Sequence, residues 1–472
     1  MSFKKTFFKN LITFGGYNYA TQALRFVATI ILSRLLLPDE YGFVALITVF
    51  TEYIKLFTDS GVSYAIIRSD YKHSYYRAVH SIAILIGVVL FLLMLGLAFP
   101  IAYFYNDKEL IVPTMVFATV FIFQSLQVVP YAIHAKELNF NRIGQVNLIG
   151  HGFMMGGMIL MAFLGFSYWS LIVPQILMVV IYYILFNRKL KIRPSYDWRQ
   201  IKVAFRKTRS LIGNLSFFNS INYWARNADN LIVGKLYGKN DLGIYNRGYQ
   251  FLTLALTLIT GIFGTVLFPS LQKLKEAGGN VNKEYASILG VISMISLPVA
   301  LPLILIPNWF VLVLWGKNWM QVAELLPYFG VLILGQTLIS TGGHIFVLYK
   351  KEKNLSLLGI IQSVALVGGI VIGAFISLKM VIICYSIAYL AIVVPSTLYL
   401  GFYKSFGFKT KEIIIFWTPK LFAYSGLLIS VYLNIPLLTY ALLIFLTLHI
   451  LYYQRNDLGQ LLKVVKSKLI KK

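Results

Sequence analysis

The chain has 472 residues, 58% of them hydrophobic and only 13% charged, with a mean hydropathy of +0.73. Such a composition excludes a soluble globular protein and belongs to a polytopic membrane protein. The net charge of +26 does not indicate nucleic acid, because nearly all of it falls in short segments between apolar runs, and the one cysteine, Cys384, excludes a disulfide framework or a cysteine metal cluster.

A bilayer core roughly 30 Å thick needs about 20 apolar residues per helix. On that rule the sequence predicts spans at 11–36, 41–67, 78–104, 111–133, 146–165 and 168–187. After a basic segment, further spans follow at 210–237, 242–271, 286–307, 321–349, 355–377, 380–402, 413–433 and 435–453, fourteen in all. The basic start MSFKKTFFKN leads into an apolar run far longer than a signal h-region, with no small-residue cleavage site, so the first helix is its own insertion signal. In the linker RKLKIRPSYDWRQIKVAFRKTR, Trp198, Ile201 and Phe205 stand at helical intervals among basic residues. Two readings of it stay open: a helix along the anionic inner leaflet, or an ordinary positive loop that fixes topology.

Charge sets the expected orientation. Of 43 Lys and Arg residues, 32 lie in the N-terminal start, the connections at 68–77, 136–142, 188–209, 272–284, 349–354 and 403–412, and the tail. The opposite connections hold only Lys108, Lys239, Lys317 and Lys379, and seven bases fall within spans: Arg25, Arg34, Lys55, Arg226, Lys235, Arg247 and Lys420. The positive-inside rule then puts both termini in the cytoplasm, which requires an even number of spans. With six spans before the linker, the second half re-enters in the same orientation, so the halves form a parallel repeat. The expected architecture is an all-α integral membrane protein of about fourteen helices. Its parts are six-helix lobes at 1–187 and 210–403, the basic linker 188–209, two extra helices in 412–453, and a basic tail at 454–472.

The repeat is legible in detail. Sliding 219–248 back by 201 residues lays Asn219 over Asn18, Arg226 over Arg25, Lys235 over Arg34 and Gly243 over Gly42. In the first helix of each half a polar stripe recurs at helical spacing: Asn18, Gln22, Arg25 and Thr29, then Asn219, Asn222, Arg226 and Asn230. Ionisable groups inside a bilayer are costly and face protein or water, so the stripes are candidate cavity walls. Arg25 and Arg226 suit an anionic head group, because the guanidinium fork pairs bidentately with phosphate and keeps its charge when desolvated. The other reading makes them structural, neutralised by Glu52, Asp59 or Asp229. Glu52, Lys55 and Asp59 form a spacing of three and four, either an ion-pair ladder or a coupling-ion or proton site, and Asp229 sits three residues from Arg226. Arg34, Lys235 and Lys420 are expected to snorkel to the interface. Gln124, Gln127 and Tyr131, with Gln336, Ser340 and His344, either line the same cavity or bond helices together. An enzyme is not expected: the longest outer connection, 308–320, is short and largely apolar, and neither a metal-ligand cluster nor a nucleophile–base pair is visible.

Two segments carry a family resemblance: NADNLIVGKLYGKNDLGIYNRGYQ followed by TVLFPSLQKL, and ILSRLLLPDEYGFVALITVF continuing to LFTDSGVSYAIIR. They resemble the Wzx-type polysaccharide flippases, in the branch of colanic acid and teichuronic acid exporters. Those belong to the multidrug/oligosaccharidyl-lipid/polysaccharide (MOP) exporter superfamily, with the lipid II flippases and the drug-extruding MATE transporters. The resemblance implies two six-helix lobes around a central cavity that alternates its access. The implied substrate is an undecaprenyl-diphosphate-linked oligosaccharide, moved from the inner to the outer leaflet of a bacterial cytoplasmic membrane for lipopolysaccharide, capsule or exopolysaccharide. It also implies a groove for the lipid tail at 413–433 and 435–453, as in the lipid II flippases. No cofactor is implied, only coupling to H+, Na+ or the membrane potential; membrane lipids, a polysaccharide polymerase and other assembly proteins are the implied partners. The rival is a MATE-like cation antiporter, which would concentrate carboxylates in its cavity, whereas the in-span acids Glu52, Asp59 and Asp229 are outnumbered by bases.

Overall fold

A backbone in hydrocarbon must satisfy its own hydrogen bonds, and a helix does so within one segment. The computed structural model is accordingly helical, with no strand among the described residues, which are 3–59, 62–68 and 73–453. Side chains are described there except at 3–12, 64, 65, 68, 73, 189, 207–219, 221, 222, 225, 226, 260–266 and 269. The helices are α1 (Phe3–Leu35), α2 (Pro38–Asp59), α3 (Val62–Arg68), α4 (His73–Tyr105), α5 (Ile111–Lys136), α6 (Phe140–Phe163), α7 (Trp169–Leu190) and α8 (Trp198–Glu276). They continue with α9 (Val281–Leu305), α10 (Pro307–Leu314), α11 (Leu326–Ser340), α12 (Gly342–Leu348), α13 (Glu352–Ala374), α14 (Leu378–Ala388), α15 (Val394–Thr397), α16 (Thr410–Tyr432) and α17 (Pro436–Tyr453). Two π-helical stretches, Tyr389–Val393 and Leu398–Tyr403, carry α14 and α15 on as one rod.

Among the described residues, eleven helices are long and apolar enough to cross a membrane. The three other predicted spans fall on α1 and on the two arms of α8, which carry the in-span arginines and Asp229. The arms meet at Gly238, whose φ of 78° and ψ of −172° break the helix between the predicted spans 210–237 and 242–271. Glycine adopts that backbone without steric cost.

The chain divides into two compact units, Met1–Gly243 with Leu314–Asn318, and Ile244–Val313 with Trp319–Lys472. In the first, α1 packs on α6, α4 on α5, and α7 on both α5 and α6. The first arm of α8 joins it through aromatic contacts: Trp224 and Tyr223 lie 5.0 and 5.5 Å from Tyr53 of α2. Basic segments gather at one end of this unit. Arg77 donates to the carbonyls of Arg193 and Pro194, Ser195 N–H donates to Ser81 Oγ at 2.8 Å, and Lys136 donates to Tyr76 Oη at 3.0 Å. The linker helix is half absorbed there: Ile201 and Ala204 join a core with Val79 and Val129, while Trp198 and Phe205 stay exposed. In the second unit α9 packs on α11, α13 on α14, and α16 on α17 and α11.

The sequence repeat has a physical counterpart. A Cβ on Gly42 would fall 1.5 Å from the Lys239 carbonyl oxygen, and one on Gly243 would fall 2.0 Å from that of Pro38. Pro38 and Lys239 are themselves related by the offset of 201, so the contact is reciprocal, as across a local two-fold. The ILSRLLLPDEYG motif builds one side of it. Pro38 opens α2 with Asp39 and Glu40 in the first turn, and the Glu40 carboxylate accepts the Leu37 N–H at 2.6 Å. Lys239 pairs with Asp39 at 3.3 Å. Burial by itself lowers the pKa of that ammonium, but Asp39, with Asp107 and Glu109 beyond it, raises it above the ordinary lysine value.

Candidate functional site

The polar groups of the first unit lie on α1, α2, α6, α7 and the first arm of α8. On α1 the stripe faces away from packing: Asn18 and Arg25 are exposed and Gln22 and Thr29 half-buried, while Thr21, Ala28 and Leu32 are buried. No carboxylate among the described residues lies within ion-pair distance of Arg25. Its charge, with that of Lys55, acts on His151 of α6, and it also acts on Tyr182 of α7. His151 Nδ1 lies 2.8 Å from Tyr182 Oη and 2.9 Å from the Asn147 carbonyl. Gly150 makes room for this pair, because a Cβ there would fall 2.2 Å from the Tyr182 ring.

The acids are engaged. Glu52 and Lys55 form an ion pair at 3.0 Å, the first rung of the expected ladder. Asp59 is turned to another task, accepting the Ser63 N–H at 2.9 Å ahead of α3. Asp229 is 3% exposed and accepts the Asn230 N–H at 2.8 Å. Both Glu52 and Asp229 act electrostatically on Tyr223, whose hydroxyl donates to the Val49 carbonyl across α2. Beside Glu52 and Lys55, with Thr51 and Gln175, lies a cavity of about 20 Å³, enough for about one water and far too small for a sugar.

The structure therefore brings Arg25, Glu52, Lys55 and Asp229 into one unit. The side chains of Asn219, Asn222 and Arg226 lie outside the described residues, as does the geometry between Arg226 and Arg25. Sequence reasoning missed His151, Tyr182 and Tyr223. His151 is an ionisable group inside the apolar run NLIGHGFMMGG and was findable on that ground; the tyrosines give no such signal, because Tyr is common at helix ends and in cores. Gln336 donates to Tyr385 Oη at 3.2 Å, an interhelical bond within the second unit. Arg247 is buried, donates to Gln250 at 2.9 Å and stacks 4.6 Å from the Trp319 ring.

Of the lysines expected to snorkel, Lys235 stays exposed and Lys420 does not. Lys235 donates to the Phe104 carbonyl at the end of α4 and lies 4.9 Å from the Phe104 ring. Lys420 is fully buried: it donates to the Phe416 carbonyl at 3.0 Å and sits 3.5 Å above the Phe416 ring. It lies on the face of α16 that α17 covers, and a sequence gives the depth of a residue in a span better than its facing.

Residues 31–324 match the polysaccharide biosynthesis protein family, a stretch that includes the second copy of the repeated segment and residues 31–42 of the first. The chain belongs to that family. Among its relatives is the teichuronic acid biosynthesis protein TuaB of Bacillus subtilis (strain 168), 22% identical over 301 residues, covering 62% of this chain. The chain spans 61% of the length of that relative. Among solved structures, the lipid II flippase MurJ in an inward closed conformation is similar with a TM-score of 0.69 at 15% identity, covering 95% of this chain and 100% of that one. An inward-facing multidrug resistance MATE family transporter of the MOP superfamily gives a TM-score of 0.59 at 14% identity, covering 80% of this chain and 93% of that one. The fold is the one these two solved structures share, as the sequence resemblance implied.

Proposed function

We propose that this protein is a flippase, not an enzyme, that carries a lipid-linked oligosaccharide across the cytoplasmic membrane of a bacterium during polysaccharide biosynthesis. The observation that carries the reading is the open polar face of α1. Arg25 stands on it without a carboxylate partner among the described residues, in a unit whose three in-span acids are each bonded elsewhere. A site of that sign takes an anion. Membership of the polysaccharide biosynthesis family and the likeness to MurJ support the same class of cargo.

The proposed mechanism has two six-helix lobes, 1–187 and 210–403, rocking about a central cavity, with both termini cytoplasmic. Exposed polar groups cost several kcal/mol each in hydrocarbon. A wet cationic cleft removes that cost for the sugar and diphosphate, while the prenyl tail stays in lipid against α16 and α17. Arg25 and Arg226 clamp the diphosphate, Asn18, Gln22, Asn219 and Asn222 bond the polar head, and the Glu52–Lys55 pair with Asp229 sets the charge balance. A cation exporter would need a free carboxylate where Arg25 stands, and the fold likeness to MATE transporters does not supply one.

In a host lacking its own copy, Arg25→Ala and Arg226→Ala should each abolish surface polysaccharide at normal expression. Wild-type export in both variants would remove the clamp. Arg25→Lys separates charge from fork geometry: partial export is expected, because an ammonium keeps the charge but loses bidentate pairing. If deletion instead causes sensitivity to cationic dyes without loss of glycan, the cation-exporter reading replaces this one.

A further inference from the structure

The second unit holds a cavity whose polar lining the transport reading does not use. It has a volume of about 670 Å³ and lies where the first turn of α9, the 403–409 connection, the start of α16 and the end of α17 meet. That size is in the range of ligand pockets, roughly 300–1,000 Å³, and large for a lone ion. Its charged lining is Lys283, Lys409 and Glu412. Among the described residues neither lysine has a carboxylate within ion-pair distance. The Glu412 carboxylate is occupied, accepting the Lys409 backbone N–H at 2.9 Å.

Two helix N-termini end at this cavity, those of α9 and α16. Each carries roughly half a positive charge, although at α9 the Asn280 side chain already accepts the Lys283 N–H at 3.0 Å and at α16 Glu412 stands in the first turn. Behind the aromatic wall of Phe416 and Tyr453 sits the buried amine of Lys420, with no acid beside it among the described residues. Trp417 lines the cavity, is 2% exposed, and keeps its indole Nε1 buried without an acceptor. The walls are preformed. The Asn282 side chain donates to the Phe406 carbonyl at 3.0 Å and accepts from Tyr349 Oη at 2.9 Å, and Asn354 donates to Ser405 Oγ at 2.9 Å.

We infer that this cavity binds a phosphate group, carried by an anionic lipid of the leaflet that its basic connections face, at a site separate from the transported cargo. The cationic end takes the phosphate, and Trp417 in the cavity wall reports its arrival. Phe402, Phe408 and Phe416 cover the glycerol, and the acyl chains leave over the exposed Ile414 and Ile415 of α16.

The full chain in phosphatidylcholine nanodiscs tests this with phosphatidylglycerol whose chains are brominated, and with equally brominated phosphatidylcholine. The signal is tryptophan quenching lost in Trp417→Phe. Phosphatidylglycerol should quench preferentially, and Lys283→Gln/Lys409→Gln should weaken its binding roughly tenfold, since each surface lysine contributes appreciably to anionic-lipid attraction. Both lysines are exposed, so the double variant should fold; Ala286→Trp, which fills the cavity without touching charge, should abolish the same signal, and Glu412→Gln should strengthen it. A second arm adds inorganic pyrophosphate to discs of phosphatidylcholine alone. Lysine-dependent binding there with no preference between the two lipids would keep the phosphate site and assign it a soluble ligand. Equal quenching by both lipids, no response to pyrophosphate and no effect of the lysine variants would overturn the site.

Discussion

Lys420 is fully buried, with no acid beside it among the described residues. Burying an ammonium costs several kcal/mol even after relaxation. Against this stand one charge-assisted hydrogen bond to the Phe416 carbonyl, about 1.5–3 kcal/mol, and a desolvated cation–π contact of about 2 kcal/mol. The two sides nearly cancel, so the residue adds little to stability. Lys420→Met fills the same volume without the desolvation cost. Its thermal midpoint in detergent should equal or exceed that of the parent, corresponding to a stability gain of up to about 1 kcal/mol. A midpoint lowered by several degrees would show that the ammonium has an anionic partner, and would point to a ligand held beside it. The residue was visible in the sequence as a lone base in an apolar run. Its burial was not, because periodicity gives a face and only tertiary packing decides that α17 lies on that face.

At the scale of elements, the helix N-terminal to a break and the helix following it are set by backbone chemistry. Gly238 separates the arms of α8 where the apolar pattern changes, and the sequence places that break within a residue or two. The offset of 201 pairs Gly42 with Gly243, but a linear pattern does not show that equivalent residues touch; the structure adds that they do. Nor does it show that the linker and the first arm of α8 are continuous, because the basic residues of 198–209 read as a surface connection. The glycine contact makes a sharp prediction. At Gly42 and Gly243 the obstacle to a side chain is backbone carbonyl, which has no rotamer to yield. Gly42→Val and Gly243→Val should each lower stability by more than about 3 kcal/mol, the upper end of ordinary overpacking, and cost most of the monodisperse protein after extraction. Gly96→Ala and Gly359→Ala, where nothing lies within 4 Å of the added Cβ, are the controls and should be recovered normally. Equal recovery of all four would mean that α2 and the second arm of α8 separate freely, and the contact would carry no weight.

For the whole molecule the open quantity is orientation. Each unit gathers its basic connections at one end through direct bonds. In the first, Arg77 holds the 193–194 carbonyls; in the second, Lys275 donates to the Leu348 carbonyl at 2.9 Å, and Asn282 bridges Tyr349 and Phe406. These bonds join connections that the charge census had already grouped, although the census used no geometry. They do not say which side of the membrane that end faces. The positive-inside bias does, and 32 bases against 4 is a large bias. Cysteines introduced one at a time into a Cys384→Ser background should therefore split into two classes in intact cells. Lys108→Cys and Lys379→Cys should react with a membrane-impermeant maleimide directly. Lys275→Cys, Lys351→Cys and Lys404→Cys should react only after permeabilisation. The comparison within the second unit is the stringent one, since Lys379 and Lys351 stand at opposite ends of helices α14 and α13, only 28 residues apart in sequence. If both label alike, a predicted span between them does not cross the membrane, the even count fails, and the two halves are not a parallel repeat.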